Sequence, residues 1–391
     1  MNPPEVELCL LLSRAQLSPQ ARERALGLLH SPLSWEILFE RATGFGLFPL
    51  LYTGLEALGF QAVPDAVRAD WARAFRIHAI RTELIAGELT RILGSLSDAG
   101  IPVVPLKGVA LAESLYGDPA LRVSDDIDVM VPASRAIEAF HVLVASGYQS
   151  DFTGRPNLLQ LNMRYSRDCL LIRPGPPYIA ALELHSGLVW GGPLERGLLE
   201  QVWADARPMT FRGAPAFAMS TEWELLYLAI SALRHAGASL KWYADIDRLC
   251  SRRPVDWKKV SERARSLGWE APVRASLQLC SSFFETPLDP VFASAPQAAL
   301  SRVPPPSDVL SPSDNLFLLS LLDTPARKLR YLAIRLFIPT LADCESLSLP
   351  ESLFFVYYPL RPLRVAAKVT GWYLEAGVRK LFRLFRRRLP R

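Results

Sequence analysis

The sequence predicts an α+β fold, a small mixed α/β core flanked by N-terminal and C-terminal helical regions. Three observations predict it. Apolar residues recur at helical spacing through the first hundred positions, short β-branched runs follow up to about residue 219, and helical spacing returns from residue 220. A chain of 391 residues is expected to form two or three units and to bury a sizeable core without covalent staples.

In residues 1–100 the spacing of three and four runs through Ala25, Leu28 and Leu29, then Trp35, Leu38 and Phe39, then Phe75, Ile77, Leu84, Ile85, Leu89, Ile92 and Leu93. The last of these helices should stop near Asp98, where Gly100 can cap it. The core, residues 101–219, carries strand patterns over Ile101–Leu106, Asp126–Val131, Cys169–Ile172 and Ile179–His185, with a helical pattern between Ser134 and Ser146. Thr210-Phe211 and Ala216-Phe217 flank Arg-Gly-Ala-Pro and predict a hairpin. A second helical unit, residues 220–285, follows from Trp223, Leu226, Tyr227, Ile230 and Leu233 and continues through Trp242, Ile246 and Leu249. Seven prolines between Pro287 and Pro312 break any helix there, so residues 286–313 read as a linker, and residues 314–391 as a C-terminal helical region.

Composition excludes several classes. Half the residues are hydrophobic and 21% are charged, which rules out wholesale disorder and fibrous repeats. No stretch reaches the roughly 18 uncharged apolar residues of a membrane span, since Leu225–Leu233 is closed by Glu224 and Arg234. Glu5 and Glu7 stand where a secretory signal needs basic residues, so a cytoplasmic protein is expected. The five cysteines are scattered singly, without metal or redox spacing. The net charge of +5 is unevenly placed: residues 361–391 hold ten Lys/Arg against one Glu, a net +9, which leaves −4 on the other 360 residues. An acidic body argues against a nucleic-acid groove over the main domains.

The stretch that carries chemistry is PLKGVALAESLYGDPALRVSDDIDVMV, residues 105–131. On a strand, Asp126 and Asp128 share a face while Ile127 and Val129 turn to the core. Two adjacent carboxylates repel and are costly to bury, so they call for protons or cations, and magnesium suits hard oxygen ligands of this kind. Acidic strand ends are also common without any ion. Lys107-Gly108 follows one strand pattern and opens a helix, where backbone N–H groups, the helix dipole and a lysine charge favour phosphate. Arg122 is placed to meet phosphate or Asp125. Farther on, Glu183 and His185 share a strand face, with Leu182 and Leu184 turned inward.

The order strand, Leu106-Lys107-Gly108, helix, Leu115-Tyr116, Arg122, then Asp126-Ile127-Asp128 resembles the bacterial uncharacterised nucleotidyltransferase family of the DNA polymerase beta-like superfamily. The similarity spans roughly residues 30–260. Lys107-Gly108 stands where better-known superfamily members have Gly-Ser, and Glu183 where Asp is more usual. The resemblance implies a nucleotidyltransferase core closed by the 220–285 helices. It further implies two Mg2+ ions held by Asp126, Asp128 and Glu183 as catalytic and metal residues, and nucleotide contacts from Lys107, Gly108, Arg122, His185 and Lys241. It implies transfer of a nucleoside monophosphate from a nucleoside triphosphate such as ATP to an unidentified acceptor. His235, Lys241 and Asp245 would line the far wall of the cleft; read from spacing alone, Lys241 and Asp245 form an i,i+4 surface pair. Trp223, Trp242 and Tyr243 read as core.

Two other readings remain at this stage. One is a catalytically inactive nucleotide-binding or regulatory protein on the same fold; the other is a nucleic-acid-modifying enzyme, which the acidic body disfavours. In the tail, Trp372, Tyr373, Val378, Leu381, Phe382, Leu384 and Phe385 alternate with basic residues as in a basic amphipathic helix. Residues 361–391 are therefore expected either to dock on an anionic membrane or acidic partner, or to pack on the body.

Overall fold

The computed structural model describes residues 3–166, 168–175, 179–188, 196–234, 239–293, 319 and 324–368. Five helices come first: α1 (Pro4–Leu12), α2 (Pro19–Leu29), α3 (Trp35–Gly44), α4 (Phe48–Ala57) and the 34-residue α5 (Asp65–Asp98). Ser18 and Ser34 cap α2 and α3 by accepting from the amides of Ala21 and Ile37. Past α5, Gly100 takes φ +65° and the Ile101 amide returns to the Leu96 carbonyl, the left-handed ending that its position predicts.

The sheet contains β1 (Val104–Pro105), β2 (Ile127–Met130), β3 (Asp168–Arg173) and β4 (Ala180–His185), in the order β1-β2-β4-β3. Only β2 and β4 run parallel; the two outer pairings are antiparallel. A parallel neighbour requires a crossover, and α7 (Ala136–Ala145) and α8 (Pro156–Tyr165) lie within it. The expected first strand contracts to two paired residues, because β1 meets β2 only at Val104 and Pro105. Neither α8 nor the helix α9 (Arg196–Ala204) was expected from the spacing. Next comes the hairpin β5 (Arg207–Phe211) and β6 (Ala214–Ala218). Its two-residue turn places Arg212 and Gly213 at φ +48° and +85°, the left-handed pair that matches strand twist. The Phe217 amide donates to the Val103 carbonyl, which sews the hairpin to the chain entering β1.

Helices α10 (Thr221–Arg234), α11 (Lys241–Arg252), α12 (Trp257–Leu267) and α13 (Glu270–Phe284) follow. Within the expected linker, residues 286–293 are packed: α14 (Pro290–Ala293) buries Phe292, and Thr286 donates to Asp247. Residues 294–313 lie outside the described residues, as do His235 and residues 369–391 of the tail. The described C-terminal part is helical over Pro325–Phe337, Leu341–Ser346 and 357–368, and Asp343 ties it together by binding Arg361 and Arg364. No helix among the described residues is long and apolar enough to cross a membrane.

Alternate residues of β2 feed two different cores. Ile127, Val129 and Val131 join Leu89, Ile92, Phe140, Leu182 and Leu184 on one side of the sheet. Val104 and Met130 join the other, where α1–α4 and α6 (Gly108–Tyr116) pack with α10–α13 through residues such as Leu51, Leu115, Leu226 and Ile246. By period two, Asp128 belongs to the second face, and so do Glu183 and His185 on β4. The candidate site therefore lies between the sheet and the helical units.

Candidate functional site

The site starts where β1 ends. The Leu106 amide donates to the Asp128 carbonyl at 3.0 Å, holding the turn against β2. Lys107 is extended, and Gly108 opens α6 at φ +69°. A side chain at position 108 would meet only ordinary contacts, the Asp126 carbonyl at 3.6 Å and Ser124 Oγ at 3.7 Å; what requires glycine is the backbone angle.

This turn sets Lys107 Nζ 3.0 Å from Asp128 Oδ2 and 3.8 Å from Asp126 Oδ2. The Asp128 side chain is fully buried, whereas that of Asp126, one residue before β2, is 39% exposed. Parallel pairing sets Asp128 beside Glu183 and Met130 beside His185. His185 Nε2 lies 3.0 Å from Asp128 Oδ1 and 3.4 Å from Glu183 Oε2. Since a carboxylate only accepts, Nε2 carries the hydrogen in this arrangement and donates it. One ligand atom each from Asp128, Glu183 and His185 falls within 4.8 Å of the others, close enough to hold one metal ion. Burial would raise the Asp128 pKa, but the Lys107 charge and the His185 hydrogen bond outweigh it and keep the carboxyl well below its ordinary value. For Lys107 burial works toward the neutral form; the charges around it, Asp128 first and then Asp126 and Glu183, together outweigh burial and raise its pKa above the ordinary value.

Helix α11 forms the opposite wall. Trp242 is buried, as expected of a core residue, yet its ring has three cations around it. Lys107 Nζ lies 5.0 Å from the ring centroid, Arg122 Cζ 5.3 Å and Lys241 Nζ 6.0 Å. Arg122 is 3% exposed and bound in a fork to Asp245, Nε to Oδ1 at 2.9 Å and Nη2 to Oδ2 at 2.8 Å; Tyr116 donates to the same Oδ1 at 2.8 Å. The expected surface pair between Lys241 and Asp245 is replaced by other contacts. Asp245 is completely buried under Arg122, and Lys241 Nζ donates to the Val123 carbonyl at 3.2 Å. Burial and the neighbouring Arg122 lower the Lys241 pKa. Asp125, the other partner weighed for Arg122, pairs with Arg81 at 3.0 Å.

The structure thus gathers Lys107, Gly108, Asp126, Asp128, Glu183 and His185 in one place, and sets Arg122 and Lys241 next to them across Trp242. Sequence reasoning missed the N-terminal buttress. The Phe45 carbonyl accepts from the amides of Leu240 and Lys241 and from Ser239 Oγ, and a Cβ on Gly46 would stand 3.1 Å from Lys241 Cδ. The available signal was the Gly44-Phe45-Gly46 punctuation between two helices, which says where a turn lies but not what it touches.

No curated protein matches this chain. Among solved structures, an antigenic nucleotidyltransferase-like protein from Paracoccidioides brasiliensis is similar, at 12% identity and a TM-score of 0.35, over 56% of this chain and 97% of its own. A family model described as uncharacterised nucleotidyltransferase matches residues 31–285, a span that includes the turn at Lys107, both aspartates, Glu183, His185 and the α11 wall, and the chain belongs to that family.

Proposed function

We propose that this protein moves a nucleoside monophosphate from a nucleoside triphosphate to an acceptor nucleophile, at the face where β2 and β4 meet α6. The observation that carries the reading is the cluster of Asp128, Glu183 and His185, bordered by Asp126 and facing a lysine at a helix N-terminus. The donor set fits a divalent cation: the Asp128 and Glu183 carboxylates converge within 4.8 Å, with the further carboxylate of Asp126 on the open side. Asp126, Asp128 and Glu183 would hold Mg2+, for which two ions are proposed. When bound, such ions stabilise the attacking and leaving oxygens of an in-line displacement.

The chain's own groups supply the rest. The first amides of α6, starting at Gly108, offer N–H donors to the triphosphate, and Lys107 and Lys241 add positive charge beside them. The buried fork between Arg122 and Asp245 holds α11, and with it Trp242 and Lys241, at a fixed distance from Asp126 and Asp128. His185 orients Asp128 and Glu183 by bridging them. A non-catalytic nucleotide binder on this fold would gain nothing from keeping three mutually repelling carboxylates.

Mass spectrometry after incubation with each nucleoside triphosphate, Mg2+ and cell extract tests the reading. An acceptor heavier by one nucleoside monophosphate is the expected product. Nucleotide binding without any adduct, under conditions that leave the protein folded, would favour the inactive alternative.

A further inference from the structure

We propose that Lys107 is a displaceable internal cation, whose ammonium neutralises the Asp128 side of the site until a divalent ion arrives together with a nucleoside triphosphate and the phosphates take the lysine over. The proposal rests on the nucleotidyl-transfer reading of this site and adds an order of loading to it.

Three features of the structure support it. First, the ammonium lies on an oxygen that a metal would need: His185 takes Asp128 Oδ1, and Lys107 takes Oδ2 at 3.0 Å. Among the described residues no other lysine or arginine lies within 4 Å of Asp126 or Asp128, while Arg122 and Lys241 are engaged with Asp245 and the Val123 carbonyl. Second, the contact is of a releasable kind. A lysine is a point charge on a flexible four-carbon stem, here 3.0 Å from Asp128 and 3.8 Å from Asp126, whereas the fork of Arg122 on Asp245 is planar and doubly bonded. Third, the lysine has somewhere to go. Its backbone immediately precedes the first amides of α6, where a triphosphate is expected, and Trp242, 5.0 Å from Nζ, offers its ring along the way.

A metal alone must then compete with a resident cation, and a metal accompanied by nucleotide does not. Metal and nucleotide should therefore strengthen each other's binding by the same factor. The probes are Mn2+ alone and Mn2+ with α,β-methylene-ATP, followed by calorimetry on the parent, Lys107→Met and Lys107→Arg. Lys107→Met should bind Mn2+ alone at least about tenfold more tightly than the parent and gain less from the analogue. Lys107→Arg, which keeps the charge, should stay weak for Mn2+ alone. Unchanged or weaker Mn2+ binding by Lys107→Met would overturn the proposal and make Lys107 a strut of the carboxylate geometry.

Should Lys107→Met fail to fold, the parent carries the test through the 15N signal of its Lys107 ammonium. Mg2+ alone should leave that signal in place, and Mg2+ with the analogue should shift it. An unmoved signal in the presence of bound analogue overturns displacement while leaving nucleotidyl transfer intact. Failure of the parent to bind the analogue with any divalent ion sinks both.

Discussion

Glu88 and Asp128 are both buried carboxylates, and their surroundings are opposite in kind. Glu88, on α5, accepts from Arg91 Nη2 at 2.6 Å, from Arg173 Nε at 2.8 Å and from the Tyr148 hydroxyl, so two guanidiniums and a phenol answer one charge. The Arg122–Asp245–Tyr116 group is built in the same way. Asp128 has one lysine and an imidazole, and Asp126 and Glu183 add charge of its own sign. Where donors exceed acceptors and are planar and fixed, the charge joins elements together: α5 to β3, or α11 to the segment before β2. Where acid exceeds base among the described residues, the fold keeps an attraction for cations.

The largest expected effect follows from the acidic side of this contrast. Asp128→Asn should lower transfer at least about a thousandfold, since it removes the negative charge that a bound cation needs while keeping an oxygen that can still accept from His185, and the folded state survives with like-charge repulsion relieved. Transfer rates and thermal melts on the same preparations check it. A folded variant that turns over at the parental rate would move the site away from β2. Glu183→Gln ranks next. Its side chain is 28% exposed and reaches His185 on its own strand, beside Asp128 on the neighbouring one, so it borders the open part of the cleft, where the acceptor would approach. This variant should still bind Mg2+ and α,β-methylene-ATP within a few-fold of the parent, yet lose transfer about a hundredfold. Parental transfer by Glu183→Gln would reduce it to strand surface.

Much of this contrast was legible in the sequence, for local reasons. Period two on Asp126–Val131 and on Ile179–His185 fixes which side chains share a face, and Asp128 on β2 and the Glu183–His185 pair on β4 lie on the face so assigned. The helical spacing over residues 75–93 and 223–249 likewise marks α5, α10 and α11. What was not legible depends on contacts between distant positions. Arg122 finds Asp245 more than a hundred residues away, and Phe45 supports the start of α11 from the N-terminal unit, neither of which a local pattern encodes. α8 begins at a proline after a turn and mixes polar and apolar residues, so no strand or helix period stands out until the sheet supplies a surface for Leu158, Leu159 and Met163.

The smallest effect on chemistry should come from Glu88, and it tests the other half of the contrast. Burial alone would raise its pKa; hydrogen bonds from Arg91, Arg173 and Tyr148 outweigh burial and hold the carboxyl down at about 2, against 4.5 in the unfolded chain. A carboxyl whose pKa is lower when folded stabilises the fold fully above its unfolded value. That contribution must disappear as the pH falls from about 4.5 toward about 2, because the unfolded chain takes up the proton first. Glu88→Gln leaves two guanidiniums without their shared anion, and should cost about 3 kcal/mol at pH 7, in the range for breaking a buried pair from one side. Denaturant melts at neutral and acidic pH should show the gap between parent and variant narrowing as the pH approaches 2, with transfer per folded molecule unchanged throughout. A gap that stays constant with pH would mean that Glu88 acts by packing and not by charge, and the distinction drawn here between cation-rich struts and an acid-rich site would lose its clearest member.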